Sequence, residues 1–339
     1  FDHLLGARGG LLLARNPADV AAAGRDVQER VQVLVGAMGE RRTALPVWGE
    51  PTDSVYEAGR VEAAAAVTRA TRWLANNAEH PQYDLVVERF DHLLGARGGL
   101  LLARSPAEVA AARMDVRERM RIIVGAIGER RTPGPVLRES ARDSYWADSA
   151  QAQAAISRAT RWLAGHADHP LRRFVVNRFD QLLDARGGLL LAEGHTEVVT
   201  ARTGVRERVR VLVGAMGERP TSQPMWSEAT RRIYREGQVE AQGAVTRVAR
   251  WLANNAQHPQ YRLVEARFDQ LLGARGGLLL VEARTEVAPA RREVGDQVLW
   301  LAGTTGERLT EDPSWLADPD SFTTVKYKRT LSDINDANG

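Results

Sequence analysis

The sequence predicts an all-α protein: tandem three-helix-bundle repeats of 89 residues, stacked into an elongated array and followed by a short strand-like C-terminal tail. Three observations carry this expectation. The segment that opens Phe1-Asp2-His3-Leu4-Leu5-Gly6-Ala7-Arg8-Gly9-Gly10 returns at Phe90, Phe179 and Phe268, each time after 89 residues and without insertion or deletion. A fixed period of this kind marks units that stack on their neighbours. Helix-start signals and apolar stripes at helical spacing recur in the same register. Finally, 44% hydrophobic and 26% charged residues over 339 positions describe a folded chain with material for several cores.

The first helix of the unit opens on a capping signal. Ser105-Pro106-Ala107-Glu108, like Asn16-Pro17-Ala18-Asp19 before it, offers a side-chain cap, proline in the first turn and a carboxylate that reaches back. Val27, Val31, Leu34 and Met38 then line one face, matched by Val116, Met120, Ile123 and Ile127, and the helix runs to about Gly39–Arg41. A linker with Pro46 and Trp48 follows. Ser54-Val55-Tyr56-Glu57 reads as the capping box of a second, alanine-rich helix that passes Trp73 and ends at Asn76-Asn77. His80, His169 and His258, each before proline, read as N-caps of the third helix. Its stripe of Tyr83, Val87, Phe90, Leu94 and Leu101 carries the Phe-Asp motif across the repeat junction.

Each helix is expected to hold about 24 residues and to span about 36 Å. Gly98-Gly99 opposes helix by roughly 1 kcal/mol per glycine, yet Asp184 replaces the first motif glycine in one copy, so no left-handed backbone is needed there. The pair reads as a close-packing device inside a continuous or kinked helix.

The register divides the chain into residues 1–15, the end of an upstream third helix; units 16–104, 105–193 and 194–282; a partial unit 283–309; and a different module from 310 to 339. That last segment holds the only lysines, Lys326 and Lys328, and Thr324-Val325-Lys326-Tyr327-Lys328 alternates as a strand does. Both ends read as cut from a longer protein. In helix count and rod-like stacking the array resembles spectrin-type repeats, with a shorter unit and no shared motif, so the resemblance implies only a similar plan.

Several activities lack their sequence requirements. There is no cysteine, which removes disulfides, thiolate metal sites and thiol catalysis. No apolar run approaches the length of a bilayer span. A formal charge of +3, from 46 basic against 43 acidic residues, gives no concentrated basic stripe, so no nucleic-acid partner is expected. Gly6-Ala7-Arg8-Gly9-Gly10 lacks the lysine and preceding strand of a phosphate loop. His166-Ala167-Asp168-His169 reads as a polar turn before proline and not as a metal site, and the oxygen-rich Asp333–Gly339 lacks EF-hand spacing. No catalytic, cofactor or metal residues are assigned. Trp73, Trp162 and Trp251 read as core. The linker positions Trp48, Leu137 and Trp226 are the candidate partner contacts, since aromatic residues on a variable linker suit recognition.

The expected function is a non-catalytic repeat scaffold or rod within a larger protein, acting as spacer or protein-interaction surface. Self-association into a filament is the alternative, ahead of an enzyme domain or a nucleic-acid binder. Such a segment suits a secreted or cell-surface setting, for example on a bacterium.

Overall fold

The computed structural model describes residues 2–41, 46, 48–129, 139–222 and 224–306. Within them the chain is all-α, with eleven helices and no strand among the described residues. The strand-like tail, Leu137 and the divergence after Gly306 lie outside the described residues. In order the helices are α1 (Asp2–Leu13), α2 (Pro17–Met38), α3 (Glu50–Asn76), α4 (Tyr83–Leu102), α5 (Pro106–Ile127) and α6 (Glu139–Gly165). They continue with α7 (Arg172–Leu191), α8 (His195–Met216), α9 (Glu228–Asn254), α10 (Tyr261–Leu280) and α11 (Arg284–Thr305). Every start and end from α2 onward recurs 89 residues later, wherever a counterpart is described. The lengths are 22, 27 and 20 residues in turn, in place of three equal helices.

Local chemistry explains these limits. Asn16 Oδ1 accepts the Asp19 N–H at 2.9 Å and Ser105 Oγ accepts that of Glu108 at 3.3 Å, each ahead of a proline in the first turn. The same helices stop at Gly39 and Gly128, whose φ angles of 74° and 78° place them in the left-handed region that glycine alone enters freely. The second helix begins earlier than its Ser54 signal. Gly49 is the extended cap and Pro51 sits in the first turn, so Ser54 lies one turn inside α3. Proline's fixed φ started the helix before the hydroxyl was reached.

The histidines before proline also take another part. Gln82 caps α4, and His80 Nδ1 accepts the Gln82 N–H at 3.1 Å while its ring meets the edge of Trp73 at 5.1 Å. His169 and His258 repeat this bond to Leu171 and Gln260, against Trp162 and Trp251. The imidazoles thus close the turn between the second and third helices and seat it on a buried tryptophan.

Helix α4 passes through Gly98-Gly99 without a break.

Two compact units make up the chain, the first reaching Leu212 and the second starting at Val213. In the first, α2 packs on α1 and α4, α5 packs on α3, α4 and α7, α3 on α4, and α6 on α7. In the second, α9, α10 and α11 pack on one another. One core cluster joins Tyr56 and Ala63 of α3, Ala96 and Leu100 of α4, and Val109 and Val116 of α5. It therefore crosses the sequence boundary at residue 104: the second and third helices of one copy share their apolar interior with the first helix of the next.

Candidate functional site

Where first and third helices cross, the sequence has removed side chains. A Cβ on Gly36 would collide with the carbonyl oxygen of Leu94, and one on Gly98 with that of Gln32. Gly125 against Leu183 and Gly187 against Arg121 repeat this contact in the first unit, and Gly214 against Leu272 in the second. In the pairs Gly98-Gly99 and Gly187-Gly188 only the first glycine makes the crossing; Gly99 and Gly188 have ordinary room.

The motif arginine completes the seat. Arg186 Nη1 donates to Gly125 O at 2.6 Å, Arg97 to Gly36 O at 2.9 Å and Arg275 to Gly214 O at 2.8 Å. Their guanidinium groups lie where side chains on Gly128, Gly39 and Gly217 would stand. Burial pushes Arg186 and Arg275 down to about 10, with the phenol of Tyr145 partly opposing this at Arg186, and it lowers Arg97 as well. What offsets the cost is the C-terminal end of the helix, whose free carbonyls and dipole favour a cation. Arg275 also bonds Gln242 Oε1.

Ion bridges join each second helix to the following first helix. Glu62 receives Arg117 at 3.2 Å and Arg113 at 3.5 Å. In the next copy Gln151 replaces Glu62, and the carboxylate has moved back one turn to Asp148, in the register of Gly59. Asp148 is buried and holds Arg202 at 2.6 Å and Arg206 at 2.7 Å. In the second unit Arg291 lies 3.6 Å from Glu236 and 3.9 Å from Glu240. A third kind of link runs between third helices, where buried Arg89 donates to Asp180 at 2.8 Å.

Burial raises the Glu62 pKa, but the hydrogen bonds and charges of Arg117 and Arg113 outweigh it and leave the group below its ordinary 4.5. A carboxylate lowered on folding adds stability that is fully present above pH 4.5 and is lost as pH falls through the folded value. Glu62→Gln is thus expected to cost on the order of 1 kcal/mol at neutral pH. That difference from the parent chain should shrink towards zero in urea titrations repeated at progressively lower pH; a difference independent of pH would remove the bridge as its source.

The candidate partner contacts stand as follows. Trp48 is half-buried: its Nε1 donates to Arg104 O at 3.4 Å, and its ring lies 5.2 Å from Tyr56 and 5.7 Å from the Arg41 guanidinium. Trp226 is buried, donates to Glu282 O at 3.3 Å, and packs against Tyr234 and Arg219. Arg41 and Arg219 in turn donate to the end carbonyls of α4 and α10, at Leu101, Ala103 and Val281. The structure therefore places these linker aromatics in clamps that hold the linker onto the third helix. Two tryptophans that sequence patterns did not single out are more open, Trp146 at 58% exposure and Trp300 at 41%. Trp146 has Glu57 and Arg235 as counterparts, a surface register that was readable in advance.

The first unit also carries an open groove of about 1560 Å³ between α5, α7 and α8. Its walls include Arg119 on Asp115 at 3.2 Å, Arg121 on Asp184, and Arg208 donating to Gln181 at 2.9 Å, beside exposed Met114. These charges answer one another along the walls. The His166 ring stacks on Trp162 at 4.5 Å, and no group of three or more histidine, aspartate or glutamate side chains fit for a metal converges among the described residues. Nor, among those residues, is any helix long and apolar enough to cross a membrane.

The chain matches no known protein family, no curated protein and no solved structure.

Proposed function

We propose that this chain is a non-catalytic helical repeat scaffold within a larger protein, in which tandem three-helix units of 89 residues form an elongated array that serves as spacer and protein-interaction surface. The observation that carries this reading is the recurrence of one set of joints. Helix limits repeat at a fixed interval, and second-helix carboxylates bridge to following first helices through Glu62, Asp148 and Glu236/Glu240. Joints between neighbours, and not one central core, are what repeat arrays use to hold length. The groove between α5, α7 and α8, with its alternating charges and Met114, suits an extended protein segment of mixed charge.

Small-angle X-ray scattering on the whole chain tests the array. A compact protein of this length has a radius of gyration of about 20 Å. The expected value is well above that, with a long tail in the distance distribution. A value near 20 Å with a symmetric distribution would overturn the proposal.

A further inference from the structure

Five arginines line the groove between α5, α7 and α8. Three of them meet carboxylates: Arg117 at Glu62, Arg119 at Asp115 and Arg121 at Asp184. Among the described residues Arg173 and Arg208 meet none. Arg173 is exposed and lies over the Phe174 ring at 4.6 Å, and Arg208 donates to the neutral Oε1 of Gln181 at 2.9 Å.

The anion missing at Arg208 comes down to one residue. In the same register of the preceding first helices, Asp26 holds Arg30 at 3.4 Å and Asp115 holds Arg119 at 3.2 Å, each one turn ahead of its arginine. Gly204 stands at that place in α8. A Cβ on it would meet nothing within 4 Å, so lack of room does not account for the glycine.

The neighbouring amides are oriented to the same effect. A guanidinium only donates, so Gln181 turns Oε1 to Arg208 and Nε2 to Asn177, whose Oδ1 accepts at 2.9 Å. Both amide oxygens are thereby engaged. What is left unbonded is a set of donors: Asn177 Nδ2, the Arg173 guanidinium and the remaining N–H groups of Arg208. Arg173 and Gln181 are eight residues apart on α7, about 12 Å along the helix.

We propose that this part of the groove binds an acidic segment of a partner protein, an extended stretch whose two carboxylates are taken by Arg173 and Arg208. The inference rests on the interaction-surface reading above and names the chemistry that surface selects. Carboxylates three or four residues apart in an extended chain lie about 10–13 Å apart, which matches the separation along α7. Guanidinium groups bind them through charge-assisted and often paired bonds. Met114, 74% exposed along the same groove, adds an apolar contact. A nucleic-acid strand fits poorly, because Asp115, Glu118, Asp180, Asp184 and Glu197 line the same groove and oppose a continuous run of phosphates.

Fluorescence anisotropy of a labelled peptide of four Glu-Leu-Ser repeats, titrated at low salt with the 339-residue chain, tests this. The expected result is saturable binding with Kd below about 1 mM, weakened at least about tenfold when glutamine replaces glutamate in the peptide. Arg173→Gln and Arg208→Gln should each weaken it about tenfold. Gly204→Asp keeps both arginines and supplies Arg208 with the anion that Arg119 has, so it too should weaken binding about tenfold, whereas Gly204→Ala should leave it within about twofold. No saturable binding by a parent chain with helical circular dichroism intact, or equal binding by Gly204→Asp and Gly204→Ala, would overturn the proposal. An oligouridylate bound as tightly as the peptide would overturn a protein segment as the occupant. Scattering from the same sample reports on the array independently, so failure of the peptide beside an elongated profile strikes this inference alone.

Discussion

Replacing Gly187 by alanine is expected to destabilise the first unit by about 3 kcal/mol or more, against the sign that helix propensity alone gives. Alanine in a helix interior gains about 1 kcal/mol over glycine when nothing else changes. At Gly187 the added methyl meets the Arg121 carbonyl at a separation well under the 3.0 Å that real Cβ atoms respect, and the neighbour is backbone and cannot turn aside. The helices must therefore separate, opening the interior around Leu182, Leu183 and Ile123, all fully buried. Gly204→Ala, in α8 with nothing within 4 Å, supplies the control and should gain about 1 kcal/mol. Urea unfolding followed by circular dichroism distinguishes the two. Equal shifts for both substitutions would show that the crossing is looser than the geometry implies.

The second large effect concerns the relocated carboxylate. Asp148→Gly leaves Arg202 and Arg206 without their anion, and Arg202 is only 16% exposed, so the loss is expected at about 3 kcal/mol. That substitution also recreates the residue found at Gly59 and Gly237 in the other copies. Adding Gln151→Glu then recreates the carboxylate at the register of Glu62, from which Arg113 and Arg117 are reached in the first copy. The double variant is expected to recover to within about 1 kcal/mol of the parent. Unfolding midpoints for the parent, both single variants and the double variant form a cycle. Simple additivity would mean that the two positions do not serve one bridge.

Much of the local structure was legible before any coordinates. The period, the Asn16 and Ser105 caps, the buried Trp73, Trp162 and Trp251, and the continuity of the third helix through Gly98 all follow from spacing and turn chemistry. The start of α3 departs from the sequence expectation because a capping box at Ser54 competes with Pro51, and only backbone geometry decides between them. His80 reads as a cap because its neighbour is proline; that its ring instead accepts the Gln82 N–H while lying against Trp73 is a matter of side-chain orientation, which sequence does not carry.

The buried arginines were harder still. An arginine flanked by glycines reads as a solvated residue, and nothing local says that a helix end will take its charge. The available clue was internal: Arg8, Arg97, Arg186 and Arg275 stay the same while Gly95 changes to Asp184. The exchange of Glu62 and Gly59 for Gln151 and Asp148 is likewise visible within the chain, but it acquires meaning only when both register positions face the same pair of arginines.

The backbone-to-backbone crossing at Gly36 and Gly98 has a consequence for how such a chain changes over time. Because its separation is set by atoms every residue shares, the spacing of the first and third helices within a copy is insulated from substitutions on the surrounding faces. Copies are then free to diverge elsewhere, at the exposed Trp146 and the buried Asp148 alike, without loss of that crossing. The same arrangement penalises a gain or loss of a single residue within either helix, which would rotate its glycine out of the crossing, and the four occurrences of the motif are separated by three intervals of one length.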